Sequence, residues 1–257
     1  MFQVDLNSDL GESFGAYQIG MDADVIAKIT SANVACGYHA GSPDVMERTI
    51  RLAKKEGAAV GAHPGFPDLM GFGRRNLNVS LDEARQYVIY QIGALTAMAK
   101  ANGVPLQHVK PHGALYNMAV QDMRLAEAIA EGVASVNPSL ILLGLSGSCL
   151  VKAGRKAGLR VAAEIPIDRG FLDDGTLAPR SREGAVLEEQ EEVIDRAVRL
   201  IQTGKLSALS GKELEFSVDS LCVHGDNPSA VALVRALRRA FKEQKIQVKK
   251  LSEIVEA

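Results

Sequence analysis

Seven short runs of β-forming residues alternate with longer segments of helical periodicity along this chain of 257 residues. No Pro/Ser-rich linker interrupts the alternation, which predicts one α/β domain over residues 1–257, built around a parallel sheet. A closed (β/α) barrel is favoured over an open doubly wound sheet, although periodicity alone does not separate them. Residues 246–248 are either an eighth short strand or an edge. The predicted strands are residues 2–6, 32–35, 58–62, 108–110, 140–143, 160–165 and 220–223.

Several predicted helices begin and end at recognisable capping residues. Ser and Pro at residues 42–43 supply an N-cap and a first-turn proline, and Gly57 ends the same helix. Residues 80–83 form a capping box before a helix whose apolar residues fall on one face. Asn and Pro at residues 227–228 repeat the cap-and-proline start. The acidic run at residues 187–196 is typical of a solvated helix face.

The composition excludes several classes of function. There are 29 Lys and Arg against 31 Asp and Glu, a net charge of −2, and no basic stripe, so nucleic acid and anionic membranes are not expected partners. The N-terminus lacks the basic and apolar regions of a signal peptide. The longest apolar stretches, such as residues 139–145, are too short to span a membrane. These features predict a soluble cytoplasmic protein.

Neither the cysteines nor the glycines form a standard binding motif. The three cysteines, Cys36, Cys149 and Cys222, lack CxxC spacing and predict neither a disulfide framework nor a structural zinc site. Cys36 and Cys222 lie near strand ends, where a small buried thiol is a commoner role than a nucleophile. The chain has no Walker A motif and no GxGxxG after the first strand, so it has no standard nucleotide-binding loop.

Charged, amide and imidazole side chains recur at the carboxyl ends of six predicted strands. Four of the five histidines lie there, each beside glycine or proline. In a parallel α/β fold these ends share one face, which is where active sites are built. We therefore predict a functional site on this face. Its candidate residues are Asp5, Asn7, Asp9, Glu12, Asn33, His39, His63, Asp68, Lys110, His112, Glu164, Asp168, Arg169, His224 and Asp226.

Other side chains near this face are aromatic or basic. Tyr38 and Tyr116 are predicted to form walls of the pocket. Arg74 and Arg75 either bind an anion or are plain solvated charges. His108 precedes the end of its strand, so it is expected to pack against neighbours or to face solvent.

Seven motifs are distributed along the chain: DLNSDLGE, NVACGYHAGSP, GAHPGFPD, GFGRR, VKPHGALYN, RGFLDDGTLAPR and CVHGDNP. Together they resemble the LamB/YcsF family. The resemblance extends from about residue 2 to residue 250, and no motif position departs from the family pattern. It implies a distorted (β/α) barrel of the glycoside hydrolase/deacetylase type with seven strands.

Members of this family are the A subunits of bacterial ATP-dependent 5-oxoprolinases. The resemblance therefore implies an enzyme that opens 5-oxo-L-proline (pyroglutamate) to L-glutamate while ATP is hydrolysed to ADP and phosphate. It implies ATP with Mg²⁺ as co-substrate and work alongside two further subunits, B and C. Two alternatives stay open: a metal-dependent deacetylase-like hydrolase, and a non-catalytic subunit that only binds the lactam.

The implied reaction suits the polar residues of the strand ends. ATP can convert the amide oxygen into a phosphorylated imidate, whose ring carbon water then attacks. Lys110 and Arg169 are candidates for stabilising the charge, and His112, His63 and Asp9 for proton transfer. Lys110 and His112 are expected at the pocket mouth, where a substitution costs little stability. The candidate catalytic residues are Asp9, His39, His63, Lys110, His112, Asp168 and Arg169. The candidate substrate-binding residues are Asn7, Glu12, Asn33, Tyr38, Arg74, Tyr116, His224 and Asp226.

Two kinds of metal ion suit these residues. The Mg²⁺ of a nucleotide takes hard oxygen ligands, for which Asp5, Asn7 or Asp9 are candidates. Related deacetylase-type barrels hold a divalent metal with one Asp and two His, and Asp9, His39 and His63 have that composition. The sequence leaves a protein-held metal open.

Overall fold

Parallel strands close into a barrel in the computed structural model, which describes residues 1–187, 189–223 and 228–255. The strands are β1 (Gln3–Leu10), β2 (Ser31–Ala35), β3 (Ala59–His63), β4 (Leu106–Val109), β5 (Ile141–Leu145), β6 (Arg160–Pro166), β7 (Lys205–Ser207), β8 (Glu213–Glu215), β9 (Ser220–Cys222) and β10 (Gln247–Val248). The barrel order is β1 to β6 and then β9, which pairs with both β6 and β1. This double pairing leaves no open edge, so the predicted closed seven-stranded barrel is confirmed.

Helices surround the barrel and connect its strands. In the described part of the chain they are α1 (Asp22–Ile26), α2 (Pro43–Glu56), α3 (Leu81–Ala101), α4 (Gly113–Gln121), α5 (Met123–Val136), α6 (Cys149–Lys156), α7 (Gln190–Thr203), α8 (Pro228–Glu243) and α9 (Leu251–Ile254). Helix α2 ends before Gly57, whose φ is +76°, and α3 begins with a capping box between Ser80 and Glu83, both as predicted. None of these helices is long and apolar enough to cross a membrane.

The structure differs from the sequence prediction in three places. Strand β1 runs to Leu10 instead of ending at residue 6, because residues 7–10 pair in register with residues 31–34 of β2. Residues 246–248 contribute β10, which pairs with the start of β1 outside the barrel and is therefore an edge. The pair of helices between β4 and β5, and the antiparallel β7–β8 pair, were not predicted.

The barrel wall has an apolar outer face and a polar inner face. Along β1, Val4, Leu6 and Leu10 belong to the apolar core that includes residues of the surrounding helices. The alternating positions Asp5 and Asn7 point the other way, into the barrel. The buried polar residues of the barrel strands include Asp5, Asn7, Ser8, Ser31, Asn33, His63, His108, Glu164 and Ser220. Barrels of this type usually fill their interior with branched apolar side chains, so these polar groups depend on one another for hydrogen bonds.

One glycine of the barrel makes room for a buried histidine. A Cβ atom on Gly61 would lie 2.2 Å from Nε2 and 2.3 Å from Cδ2 of His108. The register between β3 and β4 also shifts at Val60 and Gly61. The His108 ring therefore occupies the space that any other residue at position 61 would need.

We predict that Gly61→Ala lowers the free energy of unfolding by about 1–3 kcal/mol, the usual cost of overpacking a core. Gly93→Ala is the matched control, because Gly93 is exposed in the middle of α3 and its added Cβ would meet no atom within 4 Å. Helix propensity should then raise stability by up to about 1 kcal/mol. Urea denaturation at neutral pH measures both changes. Equal stability of the two variants would contradict the close contact at Gly61.

Candidate active site

A cavity of about 600 Å³ opens at the carboxyl ends of the barrel strands. Its volume lies within the range of about 300–1,000 Å³ that is common for small-molecule sites. Charged groups of both signs line it, together with imidazole, phenol and thiol groups. The polar and ionisable residues of the lining include Asp9, Glu12, Asp22, His63, Arg74, Lys110, His112, Tyr116, Asn117, Glu164, Arg169, Arg180 and Cys222.

A buried lysine lies at the centre of the cavity floor. Lys110 follows β4 and is only 5% exposed. Its Nζ lies 3.1 Å from Asp9 Oδ1, 3.1 Å from Glu164 Oε2, 3.2 Å from Asn7 Oδ1 and 3.1 Å from Cys222 Sγ. Burial by itself lowers the pKa of a lysine, but the carboxylates of Asp9 and Glu164 outweigh it and raise the pKa of Lys110 well above its usual value. Lys110 is therefore a permanent cation joined to three other strands.

Two asparagines beneath the floor hold this arrangement in place. Asn33 donates from Nδ2 to Asn7 Oδ1 and to Asp9 Oδ1, each at 2.8 Å. His108 Nε2 lies 2.7 Å from Asn33 Oδ1, and Asn7 donates to Glu164 at 3.2 Å. Asn7 and Asn33 are fully buried and are not among the cavity-lining residues. Their role in substrate binding stays a prediction, and in the structure their amides hydrogen-bond to Asp9, Glu164 and Lys110.

Asp5, a candidate ligand for the Mg²⁺ of a nucleotide, is not among the cavity-lining residues. It is fully buried and accepts hydrogen bonds from the hydroxyls of Thr30, Ser31 and Ser220 at 2.7, 2.6 and 2.5 Å. Burial raises the pKa of Asp5 to about 6 despite these bonds. Its carboxylate closes the bottom of the polar interior.

Three histidines at the carboxyl ends of three different strands meet beside the cavity. His63 is the last residue of β3, and His112 precedes the first residue of α4. His112 Nδ1 lies 3.0 Å from His63 Nε2, and the ring of His112 stacks on that of His39 with centroids 3.7 Å apart. Asp9 Oδ2 is 3.3 Å from His63 Nε2, which links this histidine group to the lysine. The convergence of strand ends thus brings together Asp9, His39, His63, Lys110 and His112.

Glu12 completes the histidine group. One of its oxygens, Oε1, lies 3.5 Å from His39 Nε2 and 3.5 Å from His112 Nδ1. Burial raises the pKa of Glu12, although the nearby His112 opposes that shift. Burial likewise holds the pKa values of His39 and His112 well below the usual histidine value. The two imidazoles are therefore neutral at pH 7.

Backbone without side chains encloses the stacked histidines. A Cβ on Gly65 would lie 2.6 Å from His39 Nδ1, and one on Gly73 would lie 2.7 Å from His39 Cβ. These glycines belong to the GAHPGFPD and GFGRR motifs. Phe72, next to Gly73, adopts a φ of +54° and accepts a hydrogen bond from His112 through its carbonyl. Sequence reasoning missed this role, and the motif glycines were the available signal.

Arginines contribute the remaining positive charge of the cavity lining. Arg169 is 7% exposed, and it donates to the carbonyls of Ala185 and Ala178 at 2.9 and 2.6 Å. Burial lowers the pKa of Arg169 to about 10. Arg74 lines the cavity and lies over the Phe72 ring at 5.1 Å. Arg75 is instead paired with Asp68, so of the two adjacent arginines only Arg74 faces the cavity.

Two further predicted site residues, Tyr38 and Asp168, are not among the cavity-lining residues. Tyr38 stacks on Tyr90 at 5.3 Å and packs against the edge of Tyr87, both on α3, and is not a cavity-lining residue. Its neighbour His39 points inward, and adjacent residues of this extended turn face opposite sides. Asp168 is likewise absent from the lining, whereas the adjacent Arg169 belongs to it.

The remaining residues considered in the sequence analysis are a tyrosine, two cysteines and two residues near the end of β9. Tyr116 lines the cavity, and burial raises the pKa of its hydroxyl well above the usual value. Burial raises the pKa of the Cys36 thiol to about 12, which agrees with a packing role. Cys222 lies in the lining beside Lys110. His224 and Asp226 lie outside the described residues.

Comparison with known proteins places this chain in a family. A family model described as LamB/YcsF family matches residues 4–256. The chain belongs to the LamB/YcsF family. It is 52% identical over 254 residues to the A subunit of 5-oxoprolinase from Clostridium beijerinckii, covering 99% of this chain and 100% of that protein. It is 54% identical over 248 residues to the corresponding 5-oxoprolinase protein of Alkaliphilus metalliredigens, covering 96% and 97%. The family resemblance of the seven motifs is thus confirmed.

Solved structures agree with the fold of this LamB/YcsF protein. A lactam utilization protein from Thermus thermophilus superposes with a TM-score of 0.91 at 48% sequence identity, covering 96% of this chain and 99% of that chain. The catalytic domain of a peptidoglycan N-acetylglucosamine deacetylase from Eubacterium rectale gives a TM-score of 0.50 at 12% identity, covering 97% and 88%. The second likeness concerns the fold alone, and it agrees with the predicted deacetylase-type barrel.

We predict that His108 makes the LamB/YcsF protein less stable in acid. Burial lowers the pKa of His108 to about 3, whereas an unfolded histidine titrates near 6.5. Below pH 6.5 the unfolded state therefore binds a proton that the folded state does not bind, so the free energy of unfolding decreases as the pH falls. His108→Gln keeps an amide donor for Asn33 and removes this proton.

Urea denaturation of both proteins at pH 7 and pH 5 measures the effect. The loss of unfolding free energy between these pH values should be smaller in His108→Gln by about 2 kcal/mol, the linkage of one such group. An identical loss in both proteins would show that His108 is protonated in the folded state.

Proposed function

We propose that this chain is the A subunit of a cytoplasmic 5-oxoprolinase, with residues 1–257 acting as one domain. In this proposal it opens 5-oxo-L-proline to L-glutamate, coupled to hydrolysis of ATP to ADP and phosphate, together with subunits B and C. The observation that supports it most is the cavity in which a buried, charged lysine adjoins a group of buried histidines. The names of relatives that are about half identical over the whole chain support the same substrate.

The proposed chemistry starts from a weak electrophile. A five-membered lactam resists attack by water, so ATP activates its amide oxygen as a phosphorylated imidate. The ring carbon then accepts water, the ring opens, and phosphate leaves. This sequence needs cations near the phosphoryl and carbonyl oxygens and neutral bases near the attacking water.

Lys110 and Arg169 supply the cations in this proposal. Lys110 stays charged because two carboxylates surround its ammonium group, and it lies in the lining of the cavity. Arg169 is held by two backbone carbonyls, which fix its guanidinium without neutralising its charge. Arg74 and Arg180, on the same lining, add to the positive potential for an anionic substrate.

The proton-transfer groups in this proposal are His63, His112 and Asp9. His112 and His63 touch each other at 3.0 Å, and Asp9 lies 3.3 Å from His63. A neutral histidine accepts a proton from water, and a neighbouring carboxylate stabilises the imidazolium that results. Glu12 and Tyr116 border the same space and are proposed to orient the substrate.

A second candidate function is a metal-dependent hydrolase of the deacetylase type. The group of Glu12, His39, His63 and His112 favours it, because their donor atoms all lie within 4.8 Å of one another. A hydrolase of this kind would act without ATP and without partner subunits. A third possibility, a subunit that only binds the lactam, predicts that changes at the site abolish turnover only by abolishing lactam binding.

We expect the isolated chain to form little glutamate from 5-oxoproline, ATP and Mg²⁺, and we expect the addition of subunits B and C to restore the reaction. The sequence offers no standard phosphate-binding loop of its own, and the relatives are named as one subunit of an enzyme. Coupled assay of glutamate and ADP measures both. Rapid ATP-coupled ring opening by this chain alone would refute the need for partners.

In the reconstituted enzyme, His112→Ala should lower turnover by about 10²–10⁴-fold, the usual size of a general acid–base effect. Because His112 is buried, thermal unfolding of the variant must be measured alongside. A folded variant with near-normal turnover would show that His112 is structural. A folded variant that still binds the lactam but does not turn over would exclude the non-catalytic role.

Lys110 should affect stability as well as activity. The structure corrects the expectation that it stands at the pocket mouth, since its side chain is only 6% exposed. Lys110→Met removes the ammonium group that forms ion pairs with Asp9 and Glu164, which should cost about 3–5 kcal/mol of unfolding free energy and abolish turnover. Lys110→Arg should restore activity poorly, because a planar guanidinium differs in shape from an ammonium.

Lys156→Met is the matched control for the lysine. Lys156 pairs with Glu127 at 2.7 Å, but its side chain is 74% exposed. Solvent screens such a surface pair, so its loss should change stability little. If Lys110→Met and Lys156→Met lower the free energy of unfolding in urea equally, the buried ion pairs of Lys110 stabilise the fold no more than a surface pair does.

A further inference from the structure

Backbone carbonyls fix which nitrogen carries the proton in two of the clustered histidines. His63 Nδ1 lies 2.7 Å from the carbonyl oxygen of Lys110. His112 Nε2 lies 2.8 Å from the carbonyl oxygen of Phe72. A carbonyl oxygen only accepts hydrogen bonds, so each of these nitrogens must carry hydrogen. In a neutral imidazole the other nitrogen then bears a lone pair.

The two lone pairs face each other. They are on His63 Nε2 and His112 Nδ1, which lie only 3.0 Å apart. Glu12 Oε1, another acceptor, is 3.5 Å from His112 Nδ1. Three electron-rich atoms at these distances repel one another unless a cation lies among them. The pair contact is therefore not a hydrogen bond between neutral rings.

His39 adds a fourth donor to the same space. It is fully buried, and neither ring nitrogen has a hydrogen-bond partner among the described residues. Its Nε2 lies 3.5 Å from Glu12 Oε1, whose own hydrogen-bonding capacity is also unused there. Burying an imidazole without partners is unfavourable, so this side chain too indicates a missing ligand.

The spacing of these atoms matches a metal ion. Zinc in proteins has bond lengths of about 2.0–2.1 Å to nitrogen, so neighbouring donors of a tetrahedral site lie about 3.3–3.4 Å apart. Three separations among the donor atoms of Glu12, His39, His63 and His112 are 3.0, 3.5 and 3.5 Å, and all four atoms lie within 4.8 Å of one another. We propose that Glu12, His63 and His112 bind one divalent transition-metal ion of the zinc class. The His39 ring lies parallel to the His112 ring with centroids 3.7 Å apart, so it must turn before its lone pair points at the same ion.

The donor set distinguishes this ion from the Mg²⁺ of a nucleotide. Imidazole nitrogens suit Zn²⁺, Ni²⁺ and Cu²⁺, whereas Mg²⁺ requires oxygen ligands. The carbonyls of Lys110 and Phe72 play the part of the outer partners that orient metal-bound histidines. The carboxylate in this set is Glu12. Asp9 keeps Oδ1 on Lys110 at 3.1 Å and has Oδ2 at 3.3 Å from His63 Nε2, so substitutions of the two carboxylates decide between them. A bound ion would polarise a carbonyl or acidify a water at the cavity wall, and it would take the place of His63 and His112 as the proton acceptors of the proposed reaction.

Metal binding to the full chain tests this proposal without reference to activity. Chelator-treated protein is titrated with Co²⁺, whose visible absorption reports a tetrahedral nitrogen-rich site, and Zn²⁺ is then added as a competitor. We expect one Co²⁺ per chain, displaced by one Zn²⁺, and a rise in melting temperature with either ion. Mg²⁺ in excess should not displace Co²⁺.

Four variants assign the ligands. Mutating a residue that only orients a metal ligand weakens metal binding by about 10–100-fold. Loss of a direct ligand should cost more, so Glu12→Gln and His112→Gln should each weaken Co²⁺ binding by at least about 100-fold. Asp9→Asn should leave the affinity within about 10-fold, which separates Glu12 from Asp9 as the carboxylate ligand. His108→Gln is the control, because His108 is equally buried but bonds to Asn33.

Several outcomes would overturn the site. They are the absence of saturable Co²⁺ binding to the folded chain, unchanged affinity in folded Glu12→Gln, and loss of affinity in Asp9→Asn alone. Nitrogen-15 NMR of the metal-free chain showing one proton shared by His63 and His112, with no change on adding Zn²⁺, would also refute it. Circular dichroism of each variant guards against misfolding, and Glu12→Gln keeps the shape of a side chain that is 13% exposed. None of these readouts depends on 5-oxoproline turnover, so they stand apart from the proposed function.

Discussion

The site depends on the ion pairs of Lys110, whose ammonium group is buried inside the barrel. Taking a charge out of water is costly, and only close opposite charges with further hydrogen bonds offset that cost. Asp9 from β1 and Glu164 from β6 provide the charges, each at 3.1 Å. Asn7 and Cys222 fill the remaining directions. A single ammonium thereby fixes the relative positions of four strands at the end where the cavity opens.

The polar interior of the barrel follows from that requirement. Asn7 and Asn33 hold Asp9 and Lys110 in orientation, and His108 holds Asn33 in turn. Hydrogen bonds of this kind strengthen in a medium of low polarity, and an unpaired member costs more there. The network is therefore rigid because leaving any partner out is unfavourable. A rigid floor is what a site needs if its charges are to meet a reacting group without rearranging.

The histidine side of the cavity follows a different rule. There, several atoms with lone pairs lie close together without forming hydrogen bonds to one another. Because His63 and His112 each donate a hydrogen bond to a carbonyl, of Lys110 and Phe72 respectively, the lone pairs on their other ring nitrogens face each other. Gly65 and Gly73 allow backbone to close over the stacked rings. The lysine half of the cavity is thus joined by ion pairs and hydrogen bonds, whereas the histidine half leaves Glu12 Oε1 and both ring nitrogens of His39 without a hydrogen-bond partner among the described residues.

The sequence by itself determined the architecture and the face that carries the site. Alternating strand and helix patterns are local, and caps such as the box of Ser80 and Glu83 depend on residues a turn apart. The parallel arrangement then requires strand ends to share one face, which is why His63, His112 and Lys110 were predicted to meet. The motifs also predicted the family correctly.

Only the tertiary structure decided which polar groups face the cavity and in what state. Burial of Lys110, the support roles of Asn7 and Asn33, and the outward packing of Tyr38 depend on strand register and on contacts between distant segments. A one-residue shift in the pairing register of β1 reverses the side on which each of its residues lies. The joining of Glu12 to three histidines likewise depends on four loops meeting in space, and spacing along a chain does not encode that distance.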